Sequence, residues 1–173
     1  MKKSKTYKIV WSGVFIALGI VLPFLTGQIQ SIGNKLLPMH LPVLLCGFIC
    51  GAPYGFAVGL IIPILRSFLF GMPPMFPVAV SMAFELCVYG LVTGFLYKKL
   101  PKKNSMIYVS LIAAMLIGRV VAGLVNVILY GVQGNAYSFQ LFAAGMFINA
   151  IPGMILQLIL VPVLVMVFKK AKL

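Results

Sequence analysis

Residues 37 to 70 form an almost continuous apolar run. As one helix it would be about 50 Å long, against a hydrocarbon core of about 30 Å. It cannot cross once. The run is interrupted in its middle by Gly51, Ala52, Pro53, Tyr54 and Gly55, and Gly and Pro together mark a turn. The sequence therefore predicts a short helix from about 38 to 50 and a second from about 53 to 70, folded back as a hairpin. The setting is that of a membrane: the chain is 62% hydrophobic and only 9% charged, where soluble domains are about a quarter charged.

The remaining apolar runs cover about 9 to 25, 77 to 97, 106 to 130 and 139 to 168, for six spans in all. Charge placement tests that count independently. Eleven of the fourteen basic residues fall in three clusters: Lys2, Lys3, Lys5 and Lys8; Lys98, Lys99, Lys102 and Lys103; Lys169, Lys170 and Lys172. With six spans the clusters share one face, which the positive-inside rule makes cytoplasmic. With five they would fall on opposite faces. Tyr7, Trp11 and Tyr97 suit the inner aromatic belt, and Tyr130, Tyr137 and Phe139 the outer one. The expectation is an all-α integral membrane protein with six transmembrane helices, one domain over 1–173, both termini cytoplasmic and no cleavable signal peptide. The longer polar loops, 26 to 36, 71 to 77 and 131 to 138, then lie outside. The net charge of +13 sits at span ends rather than on an aromatic-interleaved surface, which excludes nucleic acid as a partner.

Three charged residues lie within or close to the spans: Arg66, Glu85 and Arg119. Glu85 is the only acidic residue in the chain. Charge at membrane depth is costly and usually buried, paired and functional. Entering from outside near Phe76, the fourth span places Glu85 about 14 Å deep, at a depth similar to Arg119. Arg119, Asn126 and Tyr130 share one face of the fifth span. Asn149 and Gln157 share one face of the sixth, with Asn149 at the depth of Arg119. His40 falls near the outer end of the second span and Arg66 near the outer end of the third. Glu85, Arg119, Asn126, Tyr130, Asn149, Arg66 and His40 are the candidate substrate-binding residues, arranged as a polar pocket opening outward. Each also has a structural reading: the amides as interhelical glue, Glu85 and Arg119 as an ion pair, Arg66 snorkelling to the interface, and His40 as a packed, hydrogen-bonded histidine.

Small residues recur at four-residue spacing: Gly51, Gly55 and Gly59; Gly90 and Gly94; Gly13 and Ala17. Such faces let helices approach closely in lipid. The first two sets suit internal packing. Gly13 and Ala17, beside Ser12 and the basic start, suit docking of another membrane protein. Pro63 and Pro152 are expected to kink or loosen the third and sixth helices. Cys46, Cys50 and Cys87 read as apolar packing residues, and no set of ligands has metal-site spacing. There is no Walker motif and no Ser/His/Asp set. One His and one acid cannot furnish most hydrolytic sites, so an enzyme is not expected.

The segment MHLPVLLCGFICGAPYGFAVGL, a short helix opening on His-x-Pro and turning at a Gly-rich corner, resembles the second-to-third helix passage of the substrate-binding S components of energy-coupling factor (ECF) vitamin transporters. Length, six helices, basic ends and a long first outer loop extend the resemblance to the whole chain. Gly13 and Ala17 are the nearest match to the family's small-x-x-x-small motif, usually two alanines; the glycine is a departure. The resemblance implies a high-affinity binding subunit in the cytoplasmic membrane of a prokaryote. It would capture a vitamin or vitamin precursor from outside, with helices four to six and the outer loops around the ligand. Its implied partners are a transmembrane coupling protein and two ABC-type ATPases that use ATP, while the chain itself holds no cofactor. In the family the subunit is thought to topple in the bilayer to deliver its ligand. One Arg, one Glu and several amides suit a pyridoxine- or hydroxymethylpyrimidine-like ligand first, and pantothenate, with its carboxylate on Arg119, next. The rival reading is a proton-coupled small-molecule exporter using Glu85.

Overall fold

The computed structural model describes residues 4–26, 36–101, 103–134, 138–144, 148 and 150–171. Its main helices are α1 (Lys5–Val21), α2 (His40–Cys50), α3 (Ala52–Phe70), α4 (Val80–Lys99), α5 (Ser105–Val132) and α6 (Ile151–Lys170). A tight 3-10 turn, Leu22–Thr26, extends α1; a wide turn, Met75–Ala79, leads into α4; and a five-residue helix, Phe139–Ala143, stands between α5 and α6. The described residues contain no strand.

Local chemistry sets these boundaries. Ser4 caps α1, its Oγ accepting from the Tyr7 amide at 3.1 Å. Gly51 takes φ 101° between α2 and α3, a conformation that side chains disfavour, and Pro53 follows in the first turn of α3. The hairpin expected at residues 51 to 55 is present. Gly71, at φ 68°, closes α3 in the left-handed conformation common past helix ends.

Five helices have the length and hydropathy to cross a membrane. The sixth, α2, does not: its 11 residues reach about 16 Å. Every α2 residue except Leu41 is buried. It packs against α1, α3, α4 and α6, so it is an internal peg with almost no lipid-facing surface. The last helix also differs from the expectation of one span over 139 to 168. It begins at Ile151, and Pro152 lies in its first turn, where the missing N–H costs nothing, instead of kinking the interior. Pro162 is the proline inside α6, and Pro63 is inside α3.

The glycine faces join α3 to α4. A Cβ on Gly90 would overlap the backbone of Gly55, and one on Gly59 would overlap the backbone of Leu86. The two helices are in backbone contact, which only glycine permits.

The described lysines of the basic clusters, Lys5, Lys8, Lys98, Lys99, Lys169 and Lys170 among them, gather at one end. Lys8 Nζ stands 5.6 Å from the centre of the Tyr54 ring. Trp11 meets Phe168 edge-on at 5.1 Å, and Phe48 meets Tyr97 at 5.2 Å. Gly94 lies against the backbone of Ala52. The start of α1, the α2–α3 corner and the ends of α4 and α6 are therefore together, as the charge pattern requires.

Candidate functional site

One face of α4 carries Ser81, Glu85, Tyr89 and Thr93, each four residues from the next and all buried. Helical periodicity makes this a continuous polar stripe through an apolar bundle. Thr93 is satisfied locally, its hydroxyl donating to the Tyr89 carbonyl at 2.7 Å. The Tyr89 hydroxyl reaches across to α5 and donates to the Met115 carbonyl at 3.4 Å. Gly118 on α5 makes room for the Tyr89 ring. The next residue, Arg119, is 2% exposed and acts electrostatically on both Glu85 and Tyr89.

The peg helix completes the cluster. His40, at the first turn of α2, is 1% exposed, and its Nε2 stands 3.6 Å from Glu85 Oε1. Its ring also meets the Tyr89 ring edge-on, with centroids 5.4 Å apart. His40 stands at the outer end of α2, where the sequence put it. Because α2 is only about 16 Å long, its start lies inside the bundle, at the level of Glu85. The positive end of the α2 dipole falls there too.

His40, Glu85 and Arg119 are thus brought together, with Tyr89 between them. Asn126 is buried on the same face of α5 as Arg119, and Tyr130 is half-buried one turn further on. The ring of Phe142, from the short helix, lies against Gly123 and covers the α5 face between Arg119 and Asn126. Asn149 lies outside the described residues. Gln157 is 1% exposed, on the buried face of α6 with Gly153 and Val161.

Arg66 is placed elsewhere. Its guanidinium donates to the Ile20 carbonyl of α1 and stacks on Phe24 at 4.9 Å and Phe70 at 5.5 Å. Phe24 and Phe70 also meet edge-on at 5.0 Å. The residue ties the end of α1 to the end of α3. Gly13 and Ala17 are exposed on α1, and a Cβ at Gly13 would meet nothing within 4 Å.

Buried polar groups are nearly always hydrogen-bonded. Here both ring nitrogens of His40, Glu85 Oε1 and both amide atoms of Gln157 are buried without a hydrogen-bond partner among the described residues. The 3.6 Å approach of His40 to Glu85 is an ion-pair distance but too long for a hydrogen bond. Each unmet group costs about 1–3 kcal/mol. Tyr89 and Phe142 escaped the sequence reading. The four-residue spacing of Ser81, Glu85, Tyr89 and Thr93 was the available signal for the first; Phe142 has none in the chain alone.

A family model described as "ECF transporter, substrate-specific component" matches residues 7–165. No curated protein and no solved structure matches the chain.

Proposed function

The chain belongs to the family of ECF transporter substrate-specific components, and from that premise we propose that it captures a small vitamin or vitamin precursor at the His40–Glu85–Arg119 cluster. The family makes it a multi-pass membrane subunit that works with an energising module on a small-molecule substrate. The finer reading rests on one observation: among the described residues, both ring nitrogens of His40 and Glu85 Oε1 are buried and unmet inside the bundle, as are the amide atoms of Gln157 on α6. A ligand with donors and acceptors on one rim supplies what these groups lack. Tyr89 and Phe142 offer rings beside it. A pyridoxine- or hydroxymethylpyrimidine-like compound has this character, and pantothenate is the next choice. Asn126, Tyr130 and Asn149 belong to the outer part of the same pocket.

By the positive-inside rule, the basic end faces the cytoplasm, with both termini there, in the cell membrane of a prokaryote. The exposed face of α1 around Gly13 and Ala17 is the docking surface for a transmembrane coupling protein, which links the chain to two ABC-type ATPases. The chain itself binds no cofactor and performs no chemistry on its ligand. The test is reconstitution of the chain with the coupling protein and ATPases of its own organism. Vitamin uptake should follow ATP hydrolysis and persist without a proton gradient. Uptake or export by the chain alone, driven by a proton gradient, would support the Glu85 exporter instead.

A further inference from the structure

No acidic side chain stands near the basic end of the bundle. Glu85 is the single acidic residue of the chain. It is buried, and on α4 it precedes Lys99 by fourteen residues, about 21 Å at helical rise. The negative charge that the lysines face therefore comes from outside the chain's own side chains.

The lysines also have a particular placement. Lys98, Lys99 and Lys103 are exposed. They sit on one tight connection between α4 and α5, where the Lys103 amide donates to the Pro101 carbonyl at 2.8 Å. Leu91, Phe95 and Lys99 are spaced by four and all exposed, so they form one outward stripe of α4. Lys99 Nζ lies 4.5 Å from the centre of the Phe95 ring, so its charge is folded back over the apolar stripe. The last helix repeats the pattern. On α6, Ile155, Ile159, Val163 and Val167 are exposed at four-residue spacing, and exposed Lys170 follows at the end.

We propose that this end is a binding site for anionic phospholipids. The α4–α5 connection and the end of α6 hold the headgroup phosphates, and the stripes of α4 and α6 lie along the acyl chains. The inference goes beyond the capture reading and needs only that the chain is a multi-pass membrane protein.

Each stripe is apolar along its length and cationic at its end, which complements a lipid with an apolar tail and an anionic head. An acidic protein surface would explain the charges but not their attachment to exposed apolar stripes, nor the return of Lys99 onto Phe95. The stripe of α1, running from Lys5 through Ile9 to Gly13 and Ala17, has the same form, but it is the face proposed above for the coupling protein. A lysine close to an anionic membrane surface gains about fivefold in binding, so the three lysines of the α4–α5 connection suffice to discriminate headgroups.

The experiment uses the purified full chain in detergent micelles doped with equal amounts of phosphatidylglycerol and phosphatidylcholine of the same acyl chains. Mass spectrometry of the intact protein then reads which lipid it retains. Phosphatidylglycerol should exceed phosphatidylcholine by about fivefold or more. Lys98→Gln, Lys99→Gln and Lys103→Gln combined should lower that ratio by about threefold or more, whereas Lys98→Arg, Lys99→Arg and Lys103→Arg combined should preserve it. Loading the wild type at about 1 M salt, where charges are screened beyond about 3 Å, should lower the ratio in the same way without any substitution. Equal retention of the two lipids by the wild type overturns the proposal. So does a preference that neither salt nor the glutamine substitutions change. Equal retention together with loss of the partner ATPases from the glutamine variant would assign the lysines to an acidic protein surface instead. None of these outcomes bears on vitamin capture.

Discussion

At the scale of single residues, the account assigns unequal roles to side chains of similar burial. Glu85 and Arg66 are both charged and nearly inaccessible, at 5% and 2%, yet one faces groups unmet among the described residues and the other is engaged by the Ile20 carbonyl and two rings. Glu85→Gln is expected to weaken binding of an uncharged ligand about ten- to a hundredfold, the range for losing a hydrogen bond to a charged group, while the protein still inserts and folds. Parallel calorimetry and thermal unfolding in detergent would check it. Arg66→Ala should do the opposite, lowering stability with little effect on affinity. Arg66→Lys would recover only part, because a lysine keeps the charge but not the planar stacking on Phe24 and Phe70. Tyr89→Phe removes the bond to the Met115 carbonyl and should cost about 1 kcal/mol of stability, read from the same unfolding curves.

At the scale of elements, the decisive feature is that α2 is a peg rather than a span. Its shortness places His40 at the depth of Glu85, and the glycine contact of α3 with α4 holds the carboxylate opposite it. Gly90→Val should therefore disrupt the bundle, since Gly55 is backbone and cannot yield. A sharp fall in monodisperse protein by size exclusion is expected, whereas Gly13→Val, facing nothing within 4 Å, should leave the yield unchanged. Much of this was legible in sequence. Glycine and proline marked the α2–α3 corner, and lysines marked the helix ends, because those signals are local. Sequence put Glu85 and Arg119 at similar depths, but the ion-pair partner that the structure gives Glu85 is His40, at 3.6 Å. The height of His40 was not legible, since a short helix can attach at either level of a bundle and the chain order is the same. The late start of α6 was missed because its apolar pattern continues upstream of Pro152. The role of Arg66 depends on a carbonyl of α1, a partner with no sequence signature.

At the scale of the whole molecule, the proposed function divides the work between two surfaces: a buried cluster for the ligand and an exposed α1 face for the partner. They are separable in experiment. Gly13→Leu combined with Ala17→Leu should abolish co-purification with the coupling protein and ATPases while calorimetry shows unchanged ligand affinity. Loss of both together would mean that the α1 face supports the fold rather than docking. The central claim is that the unmet groups around Glu85 exist to hold a small vitamin-like solute. The most direct measurement is to purify the full chain from its expressing cells, extract it, and identify any released small molecule by mass spectrometry, with Glu85→Gln purified alongside. The account predicts a near-stoichiometric, uncharged heterocyclic compound from the wild type and little or none from the variant. Equal recovery of the same compound from both proteins would contradict it.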